Sequence, residues 1–326
     1  MPQNVTGLGT TFNLPNYSGE LATASVTQTP FLSMVLAKGM KNVNYLEFPT
    51  MSDYTLPDPE ADGISENAAA DIAANKTATN IVRGQSTNII QTFTDLLSIS
   101  YLKQAASGQM SGLNIAGQTN NAPSEIDFQR SMILKKNARN IEHAFLNGSY
   151  YKAANANEAN KMRGMFEAIN EANVTDMGGA FDREKFEGAI KKMFDNGAYL
   201  ENPIVFVDSN AKVAITKAYK DQPLPASRTE AGINIIEVLT DFATLKIVVD
   251  QFIPKGKILI ADMNYIEAVG FNTNGSNFYF EELANKGAAY QEMFYGNISL
   301  DYGPDFAHGA ITGITYEGAT DEGATE

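Results

Sequence analysis

One acidic stretch has the residue types of a cation site. It resembles the opening of a calcium-binding loop and consists of Asp58, Glu60, Asp62 and Gly63. In such a loop the twelfth position carries an acid that binds the cation through both oxygens, and here that position is Ala69. We therefore interpret the stretch as a solvated acidic loop without a metal ion.

The two histidines are the other candidates for chemistry. His143 follows Glu142, but no second histidine lies four residues away, so the spacing of a metalloprotease helix is absent. His308 follows Asp301 and Asp305, but no Gly-X-Ser-X-Gly turn supplies a nucleophile for a triad. We interpret both histidines as structural and predict no catalytic, cofactor-binding or metal-binding residue.

The composition excludes further classes of protein. The 326 residues include no cysteine, which removes disulfides and thiolate sites, and the net charge is −14. A protein that grips nucleic acid by its phosphates shows the opposite charge balance, although a container for nucleic acid need not. No signal peptide or membrane-spanning apolar run is visible, so we expect a cytosolic protein.

A long polar segment between two strands is the first element that could position functional residues. Residues 45–50 and 86–101 alternate apolar and polar side chains and are predicted as strands. The segment between them is polar and rich in alanine, which predicts an extended hairpin without a core of its own. Residues 1–44 are either a disordered tail or an arm that orders against a neighbour, with a short apolar turn or helix at 30–37.

A long helix is predicted over residues 125–147. Ser124 and Asp127 resemble a capping box, and Asn147 with Gly148 is a good stop. Four apolar residues recur at helical spacing and are predicted to face the core: Leu134, Ala138, Ile141 and Phe145. The basic residues of the helix are expected to pair with acidic neighbours: Arg130, Lys135, Lys136 and Arg139.

The rest of the chain alternates helices and strands. The spacing of apolar residues predicts a helix ending near residue 196, a buried strand at 203–207 and a capped helix through about residue 219. Strands follow at 233–239, 244–250, 258–261 and 266–271, and a final strand pair at 290–302 and 308–316. The acidic residues 317–326 are expected to be a mobile tail.

The order of these elements resembles the Hong Kong 97-like capsid fold of tailed bacteriophages. Four local phrases are similar to major capsid proteins of that group: Ile141–Gly148, Arg163–Phe166, Thr240–Leu245 and Glu282–Gly287. Ala243 stands where that group writes glycine. The resemblance covers roughly residues 40–316 and implies an α+β fold.

The resemblance also implies a division of the chain. The parts would be an N-terminal arm (1–44), an E-loop hairpin (45–101), a peripheral domain with a spine helix (102–169), an axial domain (170–260) and a second peripheral part with closing strands (261–316). In that fold the E-loop lies across neighbouring subunits. The candidates for contact with a neighbour are Asp58, Glu60, Asp62, Glu66, Asp71, Lys76 and Arg83. Lys76 is the one lysine at the tip, and no acceptor for a covalent cross-link is identified.

The implied function is a structural subunit that assembles into the pentamers and hexamers of an icosahedral head around double-stranded DNA. It would be part of the virion, assembled in the host bacterial cytoplasm. Partners would be other copies of the chain, a separate scaffolding protein, a portal and a decoration protein, with no cofactor, membrane or sequence-specific DNA site. Two alternatives stay open: an encapsulin-like nanocompartment, and a carboxylate-based enzyme or calcium-dependent binding module.

Overall fold

The computed structural model describes residues 29–55, 63–72, 82–106, 125–219, 228–230, 233–273, 275–284 and 287–316. Within these ranges the chain forms two main sheets, a separate two-stranded hairpin and several helices, which is an α+β arrangement. No helix in the described ranges is both long enough and apolar enough to cross a membrane.

The helices with described bounds are α1 (Pro30–Ala37), α2 (Glu66–Ala70), α3 (Tyr101–Ala106), α4 (Glu125–Asn147), α5 (Met165–Ala168), α6 (Arg183–Asp195) and α7 (Ser209–Ala218). Side-chain caps start three of them, including α2, where the cap is Ser65. Asp182 accepts a hydrogen bond from the Glu184 N–H before α6, and Asp208 accepts one from the Ala211 N–H before α7. Ser124, the expected cap of α4, lies outside the described residues.

The strands are β1 (Met40–Asn42), β2 (Glu47–Thr55), β3 (Val82–Ile89), β4 (Gln91–Ser100), β5 (Val174–Gly179), β6 (Pro203–Val207), β7 (Arg228–Glu230), β8 (Ile233–Leu239), β9 (Thr244–Val249), β10 (Ile258–Asp262), β11 (Glu267–Gly270), β12 (Phe278–Glu282), β13 (Ala289–Asp301) and β14 (Gly309–Ile314). They form one sheet of five strands, one of seven and the β2–β3 hairpin.

The five-stranded sheet is built around the long strand β13. This strand runs antiparallel to β4, β11 and β12, and β1 adds to β11 in parallel. The helix α4 crosses one face, where Ile133 packs with Leu97, Ile99 and Phe294. The sheet and the helix thus bury one continuous apolar layer.

The seven-stranded sheet has the order β5-β14-β10-β6-β9-β8-β7, and its strand β6 is covered on both faces. In β6, Val205 and Val207 face α6 and α7, whereas Ile204 and Phe206 face the central core that includes α1 and α4. Because successive side chains of a strand point to opposite faces, a strand buried on both sides is apolar throughout. This explains the uninterrupted apolar run that predicted a buried strand here.

The first correction concerns residues 86–101, which are not one strand. The chain breaks at Ile90, so that β3 pairs with β2 in the hairpin while β4 pairs with β13 in the five-stranded sheet. Ile90 is buried, and its N–H donates to the Leu46 carbonyl. The change of partner leaves no gap in the apolar pattern, so alternation alone could not reveal it.

The final strands also differ from the prediction. β13 and β14 do not pair with each other, because β14 pairs with β10 and β5 in the seven-stranded sheet. Gly303 has φ 67°, a left-handed conformation that favours glycine and turns the chain between the two sheets.

The helix α4 has the predicted bounds, but the prediction of which residues face the core is wrong at one position. Leu134 is 47% exposed, whereas its neighbour Ile133 is buried against β4 and β13. Ile141 and Phe145 are buried in the central core, and Ala138 is partly buried against it. Adjacent residues of a helix point about 100° apart. Because residues 133 and 134 are both apolar, the sequence does not show which of them faces the core in the first half of α4.

The described part of the predicted arm packs against its own chain. Phe31 and Val35 of α1 are fully buried in the central core, and β1 belongs to the five-stranded sheet. Residues 29–44 are therefore integral to the subunit, and residues 1–28 lie outside the described residues.

Candidate functional site

The predicted contact residues fall at the tip of the β2–β3 hairpin, and the structure describes only some of them. Asp58, Glu60, Asp62 and Lys76 lie outside the described residues. The backbone of Arg83 pairs with that of Tyr54 in the hairpin. Glu66 begins α2 and Asp71 follows it, and both are exposed.

The described part of the tip has no core. In residues 63–72 every side chain is exposed except that of Ala68, which is half-buried, and even Ile64 and Ile72 are 43% and 60% exposed. The Ser65 hydroxyl caps α2 by accepting from the Ala68 N–H at 3.3 Å. A five-residue helix with no buried side chain gains little from packing, so this segment depends on other contacts for its position.

The opposite end of the hairpin is fixed by Asn88, which is fully buried in β3. Its amide donates to the carbonyls of Leu300 (2.7 Å) and Arg163 (3.2 Å). Its oxygen accepts from the N–H of Arg163 (2.8 Å) and of Ile89 (2.9 Å). The Ser299 hydroxyl adds a bond to the Ile89 carbonyl at 2.7 Å. We call these contacts the root of the hairpin; they tie β3 to β13 and to the segment before α5.

Glu47 joins the other strand of the hairpin to a loop of the subunit. Its carboxylate accepts from the Lys152 ammonium (2.5 Å), the Thr87 hydroxyl (3.2 Å) and the Tyr150 hydroxyl (3.3 Å). The hydrogen bonds from Lys152 and Thr87 lower the pKa of Glu47 below its ordinary value. Both strands therefore have polar anchors at their base.

An open cleft of about 530 Å³ lies beside this root, lined in part by Ser86, Arg163, Glu167 and Asp305. The Arg163 guanidinium is 5.0 Å from the Tyr150 ring centroid and 3.4 Å from the Glu167 carboxylate. The wall of the cleft therefore carries both signs of charge.

Two glycines bring backbone segments into direct contact near the root of the hairpin. Both belong to the short sequence stretches that resemble phage capsid proteins. The Gly164 N–H donates to the Gly148 carbonyl at 2.8 Å. A Cβ on Gly148 would come within 2.4 Å of the Ala144 carbonyl oxygen, and one on Gly164 within 2.5 Å of the Gly148 nitrogen. Only glycine fits at both positions, which is a packing reason for the Asn-Gly and Arg-Gly pairs.

The basic residues of α4 are only partly paired as predicted. Arg130 binds Glu292 through two 2.9 Å contacts, and Lys136 lies 2.7 Å from Asp95. Arg139 is exposed and its guanidinium lies 5.9 Å from the ring centroid of Phe252. Lys135 is exposed. A buried pair that the sequence did not indicate joins Lys103 to Glu125 at 2.8 Å.

Glu142 is another buried polar residue of α4 that sequence reasoning missed. It is fully buried, and its carboxyl oxygens accept from the N–H groups of Phe31 (2.9 Å) and Leu32 (2.6 Å) at the start of α1. Desolvation and the neighbouring Asp250 carboxyl raise the pKa of Glu142 to about 9. The sequence signal for Glu142 was a charged residue next to Ile141 on the predicted inward face. Its hydrogen-bond partners lie more than a hundred residues away in the chain.

His308 has the structural role that we expected. Its Nε2–H donates to the Tyr302 carbonyl at 2.6 Å, and its Nδ1 accepts from the Asp262 N–H at 3.2 Å. The ring is fully buried, and desolvation lowers its pKa to about 4. Both ring nitrogens are bonded to backbone. Among the described residues, no three histidine or acidic side chains come together in a way that could hold a metal ion.

The fold is that of capsid shell proteins of the Hong Kong 97-like class. The capsid protein of cyanophage A-1(L) is similar, with a TM-score of 0.62 at 9% identity, covering 91% of this chain and 96% of that one. The SrpI encapsulin of Synechococcus elongatus has a TM-score of 0.58 at 11% identity, covering 90% and 92%. The structure of phage G major capsid and decoration proteins has a TM-score of 0.51 at 9% identity, covering 96% and 99%.

The family follows from the sequence itself. The family model described as SU10 major capsid protein matches residues 4–315, nearly the whole chain. The chain belongs to the SU10 major capsid protein family, and it is a structural subunit of a bacteriophage capsid shell. No curated protein sequence matches it. The predicted fold and the predicted role in an icosahedral shell are thus confirmed.

Proposed function

We propose that copies of this chain assemble into the pentamers and hexamers of an icosahedral head that encloses double-stranded DNA. The β2–β3 hairpin acts as the E-loop and lies across a neighbouring subunit. The observation that carries this proposal is the hairpin itself, which has a buried, hydrogen-bonded root and a tip whose described residues include no buried side chain. A segment that gains so little from its own chain is suited to contacts with another.

The other parts of the subunit take roles in the same shell. We assign α4 as the spine helix, the five-stranded sheet as the core of the peripheral domain, and the seven-stranded sheet as the axial domain. The axial domain then includes β14 in addition to residues 170–260, since β14 pairs with β10 and β5. The proposed N-terminal arm (1–44) lies outside the described residues up to residue 28, and the proposed tail (317–326) lies outside them entirely.

The proposal extends to partners and to chemistry. A separate scaffolding protein, a portal and a decoration protein would complete the head, and the phage G structure contains decoration proteins beside its major capsid protein. We infer that assembly takes place in the host cytoplasm and that the subunit has no catalytic activity. The engagement of His308 with backbone on both ring nitrogens supports the last point.

Electron microscopy of the protein expressed alone and with its phage scaffold tests the proposal. Closed shells of uniform size are expected, and heads from infected cells should contain DNA. Particles that instead hold a protein cargo would favour a nanocompartment of the encapsulin kind. A protein that stays monomeric under both conditions would contradict self-assembly.

A further inference from the structure

The exposed side of α4 carries a row of basic side chains. Lys135, Arg139 and His143 follow one another at four-residue spacing, and all three are exposed. Because an α-helix makes one turn in about 3.6 residues and rises about 1.5 Å per residue, side chains at this spacing form a ridge, here about 12 Å long. We call these three residues the basic ridge of α4.

No exposed acidic residue accompanies the basic ridge on its helix. Between residues 134 and 147 the one acidic residue is Glu142, which is fully buried and accepts hydrogen bonds from the N–H groups of α1. The chain as a whole contains 38 acidic and 24 basic residues. The exposed side of α4 therefore has a local positive charge in a protein that is otherwise acidic.

The cations of the ridge are not neutralised within the described part of the chain. Neither Lys135 nor Arg139 forms a salt bridge or hydrogen bond with a described residue. The Arg139 guanidinium lies over the ring of Phe252, 5.9 Å from its centroid, and His143 meets the same ring edge-on at 6.2 Å. A guanidinium that stacks on an aromatic ring keeps its N–H donors for another acceptor. The turn that contains Phe252 also carries the exposed Lys255.

The side chains of this surface suit phosphate groups better than a second protein surface. Interfaces between proteins are depleted in lysine and have an apolar centre, whereas phosphate contacts are made by lysine, arginine and small polar side chains such as asparagine. Lys135, Arg139 and Asn140 are exposed here, and the exposed Leu134 points about 100° away from Lys135. Duplex DNA carries about one negative charge per 1.7 Å of its axis, so a ridge of this length faces several phosphates.

We propose that the basic ridge of α4 contacts the phosphate backbone of the double-stranded DNA inside the head. This inference rests on the proposed function, in which the shell encloses DNA. The contact has no sequence preference, because phosphates carry no base information. It holds the outer layer of the DNA at one place on each subunit, whereas the remainder of this acidic chain repels phosphates.

The absence of cysteine from the chain allows a direct test in assembled heads. His143→Cys introduces a single thiol at the end of the ridge and keeps Lys135 and Arg139. A small photoreactive azide is attached to this thiol in heads from infected cells, and the fraction of the chain that becomes covalently joined to DNA on irradiation is measured. The matched control is Val213→Cys, which is 54% exposed on α7, against the opposite face of β6.

DNA should be attached efficiently through the thiol on the ridge and weakly through the thiol on α7. The first yield should fall roughly fivefold when Lys135→Glu and Arg139→Glu are added, because two exposed ion pairs, each weak, are replaced by repulsion. The control pair Lys191→Glu and Lys217→Glu changes the net charge equally at exposed positions of α6 and α7 and should leave the yield unchanged. If the reversed charges prevent heads from forming, Lys135→Gln with Arg139→Gln takes their place.

The DNA content of the same heads separates this inference from the proposed function. Heads without DNA would contradict the proposed function and the ridge contact together. In heads filled with DNA, attachment of the azide to another copy of the chain in place of DNA would overturn this inference alone, because the ridge would then be a contact between subunits. Equal yields from the two thiols, or a yield that is insensitive to the charges at 135 and 139, would overturn it as well.

Discussion

The two ends of the β2–β3 hairpin are built in opposite ways. At the root, Asn88 is fully buried and makes four hydrogen bonds, three of them to two other segments of the chain. At the tip, Glu66 and its described neighbours are exposed to solvent, apart from the half-buried Ala68. The energy that positions the hairpin is thus concentrated at one end. The other end contributes little to the isolated subunit, which leaves it available to a neighbour.

The same contrast occurs across the helix α4. Its inward side packs Ile141 and Phe145 into the central core, while Leu134 and Lys135 are exposed on the other side. Exposed apolar groups on a subunit of a shell are candidates for contacts between subunits. Substitutions on the two sides should therefore affect different processes, folding in one case and assembly in the other.

The largest effect is expected for Ile141→Ala. Removing a side chain that is 5% exposed leaves a cavity in the central core, which should lower the free energy of unfolding by about 2–5 kcal/mol. The matched change Leu134→Ala should cost less than about 1 kcal/mol, because that side chain is half exposed. Thermal and denaturant unfolding of the unassembled subunits measure both. Equal losses would mean that the two sides of α4 do not differ.

A somewhat smaller loss is expected for Asn88→Ala at the root. The change leaves the partly buried Arg163 N–H and the buried Leu300 carbonyl without their partner, which should cost about 2–4 kcal/mol. Asn140→Ala on the exposed side of α4 is the control and should be close to neutral. If Asn88→Ala unfolds at the same denaturant concentration as the control, the root does not anchor the hairpin.

The smallest effect on stability is expected at the tip. Glu66→Lys reverses an exposed charge and should change the free energy of unfolding by less than about 0.5 kcal/mol. It should nevertheless shift the salt concentration at which shells form, because exposed ion pairs between subunits are screened by salt. Light scattering across a salt series measures the shift. An unchanged assembly curve would remove Glu66 from the contact.

Local signals predicted much of the fold. The helix α4 has the predicted bounds, and so do β6 and β8, because caps, stops and apolar periodicity act within a few residues. The partners of the strands could not be obtained in this way. The break at Ile90 passes the chain from the hairpin to the five-stranded sheet within one residue, and no local signal marks it.

The polar network could not be predicted from the sequence either. Asn88 stands in an ordinary alternating run, and its partners at 163 and 300 are brought to it only by the fold. Glu142 and Asp250 likewise meet across 108 residues. One property of the tip could be predicted from the sequence. A polar, alanine-rich stretch predicts a segment without a core of its own, and the described residues 63–72 have none.

The most direct test of the central claim removes the tip and keeps the root. Thr55 and Val82 face each other in the hairpin, so residues 56–81 can be replaced by Asn-Gly, which suits a two-residue connection between antiparallel strands. The shortened subunit should show the circular dichroism and melting temperature of the full chain. Sedimentation should show monomers or capsomers in place of closed shells. Shells of normal size, or a subunit that cannot fold, would contradict the account.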